Sequence, residues 1–272
     1  MATAVVVPAY NEELKIQQVL ENLLTSNNNH IIVIVNGCTD NTLQKAKEMA
    51  NRDARVKIFN FKEKLGIDIP RAVGAKIALE YGVNAVGFVD GDMSGMFIQE
   101  LEEIFSKVVT KTLDLSLANC YDNQNIQFAI KEKHRHEVFE WRALLSRKFG
   151  IAEILGIASP MHGPHVISSE LISKIPLEYL AIPPAVLAFA IKNNYKVGIG
   201  ASINHCRLRS TWRHGSHNTD INDTIIGDCI YALNLYEGKV LNRIQDNHNY
   251  DGYHSTRKFE YLTMNFEQSQ VA

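Results

Sequence analysis

Ala85-Val86-Gly87-Phe88-Val89-Asp90-Gly91-Asp92 is an apolar run that ends in two carboxylates with one glycine between them. The apolar part predicts a buried strand. Two charges at the end of such a strand are costly unless something balances them. A divalent cation can do so, because carboxylate oxygens are good ligands for Mg²⁺ or Mn²⁺. Gly91 lets the backbone turn tightly and lets another group come close. The pattern therefore predicts a metal site at the edge of a sheet that can hold a diphosphate.

The segments around this run alternate between short apolar strands and helices. The predicted strands are Ala4–Val7, Ile31–Val35, Val56–Phe59, Val86–Val89 and Leu113–Ala118. The predicted helices between them are Glu12–Leu24 capped by Asn11, a helix from Thr39 or Asp40 to Ala50, Pro70–Tyr81 and Phe97–Val109. Continuous apolar strands with helical connections predict an α/β fold with a mostly parallel central sheet, covered by helices on both faces in a three-layer α/β/α arrangement.

The second half of the chain is less regular. Its predicted elements are the helices Glu132–Phe149, Pro184–Lys192 and Asp220–Leu235, the strand Lys196–Ile203 and a short element at Val166–Ile175. The tail after Glu237 is polar, and it either wraps the domain or is mobile. Because we find no internal repeat and no clear linker, residues 1–218 are predicted as the main domain. Residues 219–272 are then a C-terminal helical extension and tail of the same domain.

Composition excludes several classes of protein. The 272 residues are 46% hydrophobic, enough for a large core, and the formal net charge of -2 argues against bulk binding of nucleic acid. The longest apolar stretch, Tyr179–Ile191, is short and contains two prolines, so we predict no membrane span. The N-terminus enters a strand at once, which predicts no signal peptide. Four scattered cysteines are typical of reduced thiols. We expect a cytoplasmic protein, and a homodimer is one possible assembly.

Three segments follow predicted strand ends, where ligands of open α/β sheets lie. They are Pro8-Ala9-Tyr10-Asn11-Glu12, Asn36-Gly37-Cys38-Thr39-Asp40 and Asp90-Gly91-Asp92. In this order they resemble the GT-A glycosyltransferases of family 2, which use nucleotide-diphosphate sugars. The resemblance covers residues 4–93 well and the rest loosely. It implies the GT-A fold and a nucleotide-diphospho-sugar donor.

The resemblance implies which residues would meet the donor. The residues that would border the nucleotide sugar are Pro8, Ala9, Tyr10, Glu12, Asn36, Lys64, Asp90 and Gly91. Asn36 replaces the aspartate usual in the family, and its amide can still hydrogen-bond a pyrimidine edge. The substitution leaves both UDP- and GDP-sugars open. Lys64 and Arg71 would stabilise the negative charge that grows on the departing diphosphate. Asp40 and Asn41 are predicted as helix caps.

The resemblance also implies the metal shell. Asp92 would bind the metal directly and serve catalysis, and Asp90 would touch the metal or the ribose. Family members similar to glucosyl-3-phosphoglycerate synthase add a histidine after a late strand, and His205 fits that position. His214 and His217 follow closely and are further candidates.

An acceptor loop is expected at residues 159–165, where His162, Gly163 and His165 would meet a hydroxyl acceptor. An ordinary rigid turn is the other interpretation. The basic helix Lys131–Lys148 either helps to bind an anionic acceptor or forms a solvated face, because acidic residues interleave with its cations.

The predicted function is metal-dependent transfer of a sugar from a UDP- or GDP-sugar to a hydroxyl acceptor, with Mg²⁺ or Mn²⁺. Segment Ala181–Ala185 lacks the acid that inverting members use as a general base. The base therefore lies elsewhere, or the enzyme is retaining, or activity is lost. A non-catalytic sugar-nucleotide-binding protein is a second hypothesis. A sugar-phosphate nucleotidyltransferase is a third, but it needs a glycine-rich loop after the first strand, and residues 8–11 contain no glycine.

Overall fold

The structure is a computed structural model of the chain, and it describes residues 1–121, 136–210 and 216–264. Within these ranges the strands are β1 Thr3–Ala9, β2 His30–Asn36, β3 Val56–Phe61, β4 Ala85–Phe88, β5 Leu115–Asn119, β6 His165–Ser168, β7 Val197–Ser202, β8 Ile244–Gln245 and β9 His248–Asn249. The helices are α1 Ile16–Leu24, α2 Thr42–Arg52, α3 Ile69–Glu80, α4 Ile98–Val109, α5 His136–Lys148, α6 Ala152–Leu155, α7 Ser169–Lys174, α8 Leu177–Leu180, α9 Pro183–Lys192, α10 His205–Leu208 and α11 Ser216–Glu237. Two 3₁₀ turns follow, at His254–Thr256 and Phe259–Thr263.

The strands β1 to β7 form one mixed sheet in the order β3-β2-β1-β4-β6-β5-β7. Strand β1 pairs in parallel with β2 and β4, and β2 pairs in parallel with β3. Strand β6 runs antiparallel to both of its neighbours. The predicted short element at Val166–Ile175 is therefore two elements, this strand and the helix α7. Because β1 to β4 run in the same direction, their carboxyl ends lie along one edge of the sheet.

Side chains of the central strands alternate between the two faces of the sheet, and helices cover both faces. Val6 and Ile32 pack with α3 in one core, whereas Val5 and Ile31 pack with α1, α2 and α4 in the other. All four side chains are fully buried, which explains the continuous apolar runs in the sequence. This arrangement confirms the predicted α/β fold with its mostly parallel sheet.

Helix starts differ from the prediction at one place that matters for the site. Helix α1 begins at Ile16 instead of Glu12, and no side chain caps it. Asn11 adopts a left-handed backbone conformation with φ of 53°. Its Oδ1 accepts the N–H of Thr39 at 2.9 Å, so it joins two loops instead of capping a helix. Helix α3 begins as predicted, with Pro70 in its first turn.

The described part of the C-terminal segment wraps the domain. Cys229 and Ala232 of α11 lie in the same core as Val6, and Leu262 of the second 3₁₀ turn joins them. Across the three described ranges, no helix combines the length and apolar character needed to cross a membrane.

Candidate active site

A cleft of about 490 Å³ opens at the carboxyl ends of β1, β2 and β4. The predicted residues that line it are Pro8, Ala9, Tyr10, Glu12, Asn36, Lys64, Arg71, Asp90, Gly91 and Asp92. These residues come from the ends of β1 and β2 and the loop after β1, from the Asp90-Gly91-Asp92 sequence after β4, and from the stretch that runs from the loop after β3 into the first turn of α3. The structure thus brings together, at one edge of the sheet, the segments that the sequence predicted would converge.

The Asp90-Gly91-Asp92 turn, called the DGD turn below, is fixed to the first loop by backbone contacts. The N–H of Gly91 donates to the carbonyl of Pro8 at 3.0 Å. A Cβ atom at Gly91 would lie 3.0 Å from that carbonyl oxygen and 3.1 Å from the Cβ of Ala9. Gly91 therefore allows the close approach of the β1 end, and the two carboxylates flank this contact.

The second loop supports the first. Thr42 Oγ1 accepts the N–H of Glu12 at 2.7 Å, and Asp40 Oδ2 accepts the N–H of Glu13 at 3.1 Å. Asp40 Oδ1 also accepts the N–H of Thr42 at 3.0 Å, so Asp40 serves the start of α2. Asn41 donates to Glu13 and makes no side-chain capping bond to α2. The predicted capping role therefore fits Asp40 and not Asn41.

Asn36 and Lys64 both hold the wall of the cleft together. Asn36 Oδ1 accepts the N–H of Leu65 at 2.7 Å, and its Nδ2 donates to the carbonyl of Gly66 at 3.4 Å. The amide that the sequence assigned to the base thus shapes the loop after β3, and its contact with a base stays a prediction. Lys64 Nζ lies 4.3 Å from the centroid of the Tyr10 ring, a cation–π contact between this loop and the first.

Arg71 bridges two carboxylates of the cleft. Its Nη2 lies 2.5 Å from Asp90 Oδ1, and its Nη1 lies 2.8 Å from Asp68 Oδ1. The Arg71 side chain is 13% exposed and that of Asp90 is 31% exposed. Burial alone would lower the pKa of Arg71, but the neighbouring carboxylates raise it, so the guanidinium stays charged. Arg71 therefore orients Asp90, a contact that the sequence did not predict.

The chemistry of the cleft wall fits a divalent cation. Its acidic residues are Glu12, Asp68, Asp90, Asp92 and Asp228, against the two cations Lys64 and Arg71. Nowhere in the described ranges are three His, Cys, Asp or Glu side chains grouped as a metal site. A cation at the DGD turn would therefore take one or two carboxylates and complete its shell with phosphate oxygens and water, as Mg²⁺ commonly does.

The helix that contains His205 contacts the segment just after the DGD turn, and the His205 ring is hydrogen-bonded to another histidine. The N–H of Gly95, just after the DGD turn, donates at 3.1 Å to the carbonyl of Leu208. Leu208 is the last residue of α10, and His205 is the first. His205 Nδ1 lies 3.0 Å from His162 Nε2, and both rings stack on Tyr121. In the part of the chain that the structure describes, His205 forms no three-ligand cluster with the DGD carboxylates, so its role as a metal ligand stays a prediction. The candidate histidine side chains at positions 214 and 217 lie outside the described residues.

The predicted acceptor loop is only partly at the cleft. His165 is 4% exposed in β6 and stacks on Phe88, with ring centroids 4.8 Å apart. Burial lowers the pKa of His165 to about 3, so the ring is neutral. A Cβ at Gly163 would lie 2.5 Å from Cys120 Sγ, which makes Gly163 a packing position. The burial of both residues favours the other interpretation, an ordinary rigid turn, and an acceptor contact of His165 or Gly163 stays a prediction. Met161 does line the cleft.

Helix α11 and the C-terminal tail supply a wall of the cleft to which the sequence assigned no function. Ile221 and Ile225 line the cleft and are partly exposed, whereas Cys229, one turn after Ile225, is buried. Asp228 and Tyr253 contribute polar groups. The spacing of Ile221, Ile225 and Asp228 at i, i+4 and i+7 places them on one helical face. Asp228, a charged residue on the same helical face as Ile221 and Ile225, was the sequence signal that could have identified this wall.

The model of the family described as "Glycosyl transferase family 2" matches residues 4–169, more than half of the chain. The chain is a member of glycosyl transferase family 2. The matched region contains the three loops at the strand ends, including the DGD turn. Helix α11 and the C-terminal tail lie beyond it, although they complete the cleft of this family 2 member.

Curated relatives are similar to parts of the chain. EpsJ, an uncharacterized glycosyltransferase of Bacillus subtilis, is 33% identical over 104 residues, which cover 37% of this chain and 29% of EpsJ. YkcC, an uncharacterized glycosyltransferase of the same organism, is 26% identical over 141 residues, which cover 50% of this chain and 39% of YkcC. Glycosyltransferase GlyA of Streptococcus pneumoniae is 29% identical over 121 residues, which cover 43% of this chain and 16% of GlyA. The chain thus spans less than half the length of these relatives.

Solved structures share the fold. Glucosyl-3-phosphoglycerate synthase from Mycobacterium tuberculosis, in complex with Mn²⁺, UDP and phosphoglyceric acid, has a TM-score of 0.58 at 18% identity, covering 84% of this chain and 78% of that chain. The same enzyme with Mg²⁺ and UDP has a TM-score of 0.56 at 16% identity, covering 84% and 79%. At this identity the likeness shows the fold alone, and it confirms the predicted GT-A architecture.

Proposed function

We propose that this family 2 member transfers a sugar from a nucleotide-diphosphate donor, UDP- or GDP-linked, to a hydroxyl acceptor, with Mg²⁺ or Mn²⁺ as cofactor. The observation that carries the proposal is the convergence of four segments on one cleft. The ends of β1 and β2, the loop after β3 and the DGD turn all line it. Family 2 membership and neighbours that bind UDP with Mn²⁺ or Mg²⁺ support the same reaction class.

The residues of the cleft have separate roles in this proposal. Residues 8–12 and Asn36 border the base and ribose. Asp92, with Asp90, holds the cation, which when bound supplies Lewis-acid stabilisation of the leaving diphosphate. Lys64 and Arg71 place positive charge where the diphosphate charge grows. His205 would join the metal shell only after its contact with His162 Nε2 opens, and its place would otherwise be taken by water or a phosphate oxygen.

The acceptor side carries no general base in the region where the family usually has one. Pro183 lines the cleft there, and Glu178, the nearest acid in sequence, is exposed and does not line it. A hydroxyl acceptor enters beside Met161 and His162 in this proposal. The non-catalytic alternative, a protein that binds sugar nucleotide without transfer, differs in one measurable way, because it would never release labelled sugar.

We also propose that residues from 219 onward belong to the same domain as residues 1–218, supported by the shared core.

A thermal-shift panel of nucleoside diphosphates and sugar nucleotides tests this proposal. UDP or GDP at 100 times its Kd should raise the free energy of unfolding by about 2.7 kcal/mol. The expected result is a rise in Tm with Mn²⁺ or Mg²⁺ present and a much smaller rise in EDTA, because a cation held by the DGD turn would offset the charge of the diphosphate. Uridine without phosphates serves as the control ligand. The absence of a metal-dependent shift with every nucleoside diphosphate would refute the proposal.

Gly91→Ala is expected to weaken binding of UDP in Mn²⁺ because its new methyl group presses on Pro8 and Ala9. Overpacking of this kind costs about 1–3 kcal/mol of stability. Calorimetric titration and urea unfolding measure both effects. Gly91→Ala binding UDP as tightly as wild type would show that the contact between the DGD turn and the first loop does not matter for the site.

A further inference from the structure

A continuous series of ion pairs links the C-terminal tail to the DGD turn. It alternates carboxylates and guanidiniums in the order Asp90, Arg71, Asp68, Arg257, Asp228 and Arg243. With every group charged, the three positive and three negative charges cancel. The last three members lie beyond the region that the family model matches, which ends at residue 169. The series therefore connects the family's nucleotide-binding half to a part of the chain with no assigned role.

Arg257 lies at the middle of this series and is fully buried. Its side chain is 0% exposed and that of Asp228 is 2% exposed. Two guanidinium nitrogens of Arg257 donate to the two carboxylate oxygens of Asp228, each at 2.7 Å. Its Nη2 also reaches Asp68 Oδ2 at 3.3 Å, and its Nε donates to the carbonyl of Ile67 at 3.2 Å. Such a forked geometry holds the guanidinium in one orientation.

Asp68 is shared between two arginines. Arg71 binds its Oδ1 at 2.8 Å, and Arg257 approaches its Oδ2 at 3.3 Å. Arg257 offsets part of the negative charge of Asp68. Asp68 therefore attracts the Arg71 guanidinium less strongly, and Arg71 stays in contact with Asp90 at 2.5 Å. Without Arg257, the carboxylate of Asp68 would attract the Arg71 guanidinium more strongly. Arg71 would then move toward Asp68 and away from Asp90.

The tail is attached to the same loop by further contacts. The N–H of Lys258 donates to the carbonyl of Leu65 at 2.9 Å. Lys258 and Tyr261 both bond the carboxylate of Glu63. The tail therefore packs along the whole segment that leads from β3 to α3, and Arg257 is placed by backbone as well as side-chain contacts.

We infer that Arg257 is a positioning residue for the diphosphate site, acting through Asp68 and Arg71 on Asp90. This inference rests on the proposed function, because it assumes that the cleft binds a nucleoside diphosphate with a cation. The C-terminal tail is then a functional part of the donor site. The role of Asp68 is to pair with Arg71 and Arg257 at once, so that neither arginine is its full counter-charge.

The test measures the Kd of UDP in Mn²⁺ by calorimetric titration for the full chain and its variants. Arg257→Gln should weaken binding about tenfold, a coupling of the size that such networks transmit. In an Asp68→Asn background, the same Arg257→Gln change should alter the Kd less than about twofold, because the carboxylate through which Arg257 acts is gone. Arg243→Gln is the matched control, since Arg243 also pairs with buried Asp228 but does not contact Asp68.

The outcomes separate this inference from the proposed function. If wild type binds neither UDP nor GDP with Mn²⁺, the proposed function fails and the inference fails with it. If wild type binds and Arg257→Gln weakens binding no more than Arg243→Gln, only the inference fails. An equal loss with and without Asp68 would also overturn it. Should Arg257→Gln not fold, Arg257→Lys, which keeps the charge without the fork, should show a loss of about threefold with the same dependence on Asp68. No loss in that variant would overturn the inference.

Discussion

Asp92→Ala is expected to abolish sugar transfer and donor hydrolysis while leaving the fold intact. Asp92 is the carboxylate of the DGD turn that the proposal assigns to the cation, and a metal held there stabilises charge mainly in the transition state. Removing one such electrostatic group costs about 10²–10³-fold in rate or more. The measurement is release of labelled sugar from whichever sugar nucleotide gives the largest thermal shift, with Mn²⁺ present.

Glu103→Ala is the control for that experiment, because Glu103 is an exposed acid on α4 and does not line the cleft. It should retain wild-type turnover. Urea unfolding should show Asp92→Ala within about 1 kcal/mol of wild type, as expected for a partly exposed side chain. Substantial activity in Asp92→Ala would mean that the DGD turn is not the metal site.

Asp228→Asn should produce the largest loss of stability among these substitutions. Asp228 is 2% exposed and pairs with both Arg257 and Arg243. Neutralising it leaves two buried guanidiniums without their main partner, and breaking a buried pair in this way costs about 3–5 kcal/mol. Urea unfolding followed by circular dichroism measures the change.

The control is Asp223→Asn on the same helix, where the side chain is partly exposed and a change within about 0.5 kcal/mol is expected. Burial would raise the pKa of Asp228, but Arg257 and Arg243 lower it below the ordinary value. The contribution of Asp228 is therefore fully present above the unfolded pKa of about 3.9 and is lost as the pH falls through the lower folded value. A stability for Asp228→Asn equal to wild type at neutral pH would contradict the ion-pair account.

The sequence predicted the convergence of the strand-end loops on one cleft well because its signals are local. A run such as Val86–Val89 followed by Asp90 and Asp92 carries both the strand and the chemistry within a few residues. Parallel pairing then brings consecutive strand ends to one edge, so the convergence of the loops followed from element order alone.

The sequence could not predict contacts between residues far apart in the chain. The partners Arg71 and Asp90, and Asp68 and Arg257, are joined only by tertiary packing. His165 lies in a strand that the sequence did not resolve. Because β6 inserts antiparallel between β4 and β5, it buries the ring that a loop would have exposed.

The affinity of the wild-type protein for UDP, measured calorimetrically in Mn²⁺ and in EDTA, tests metal-dependent donor binding most directly. Binding should be at least about tenfold tighter in Mn²⁺, a difference of about 1.4 kcal/mol, and Asp92→Ala should remove this difference. Equal affinity in Mn²⁺ and EDTA, or a metal effect that survives Asp92→Ala, would contradict metal-dependent donor binding at the DGD turn.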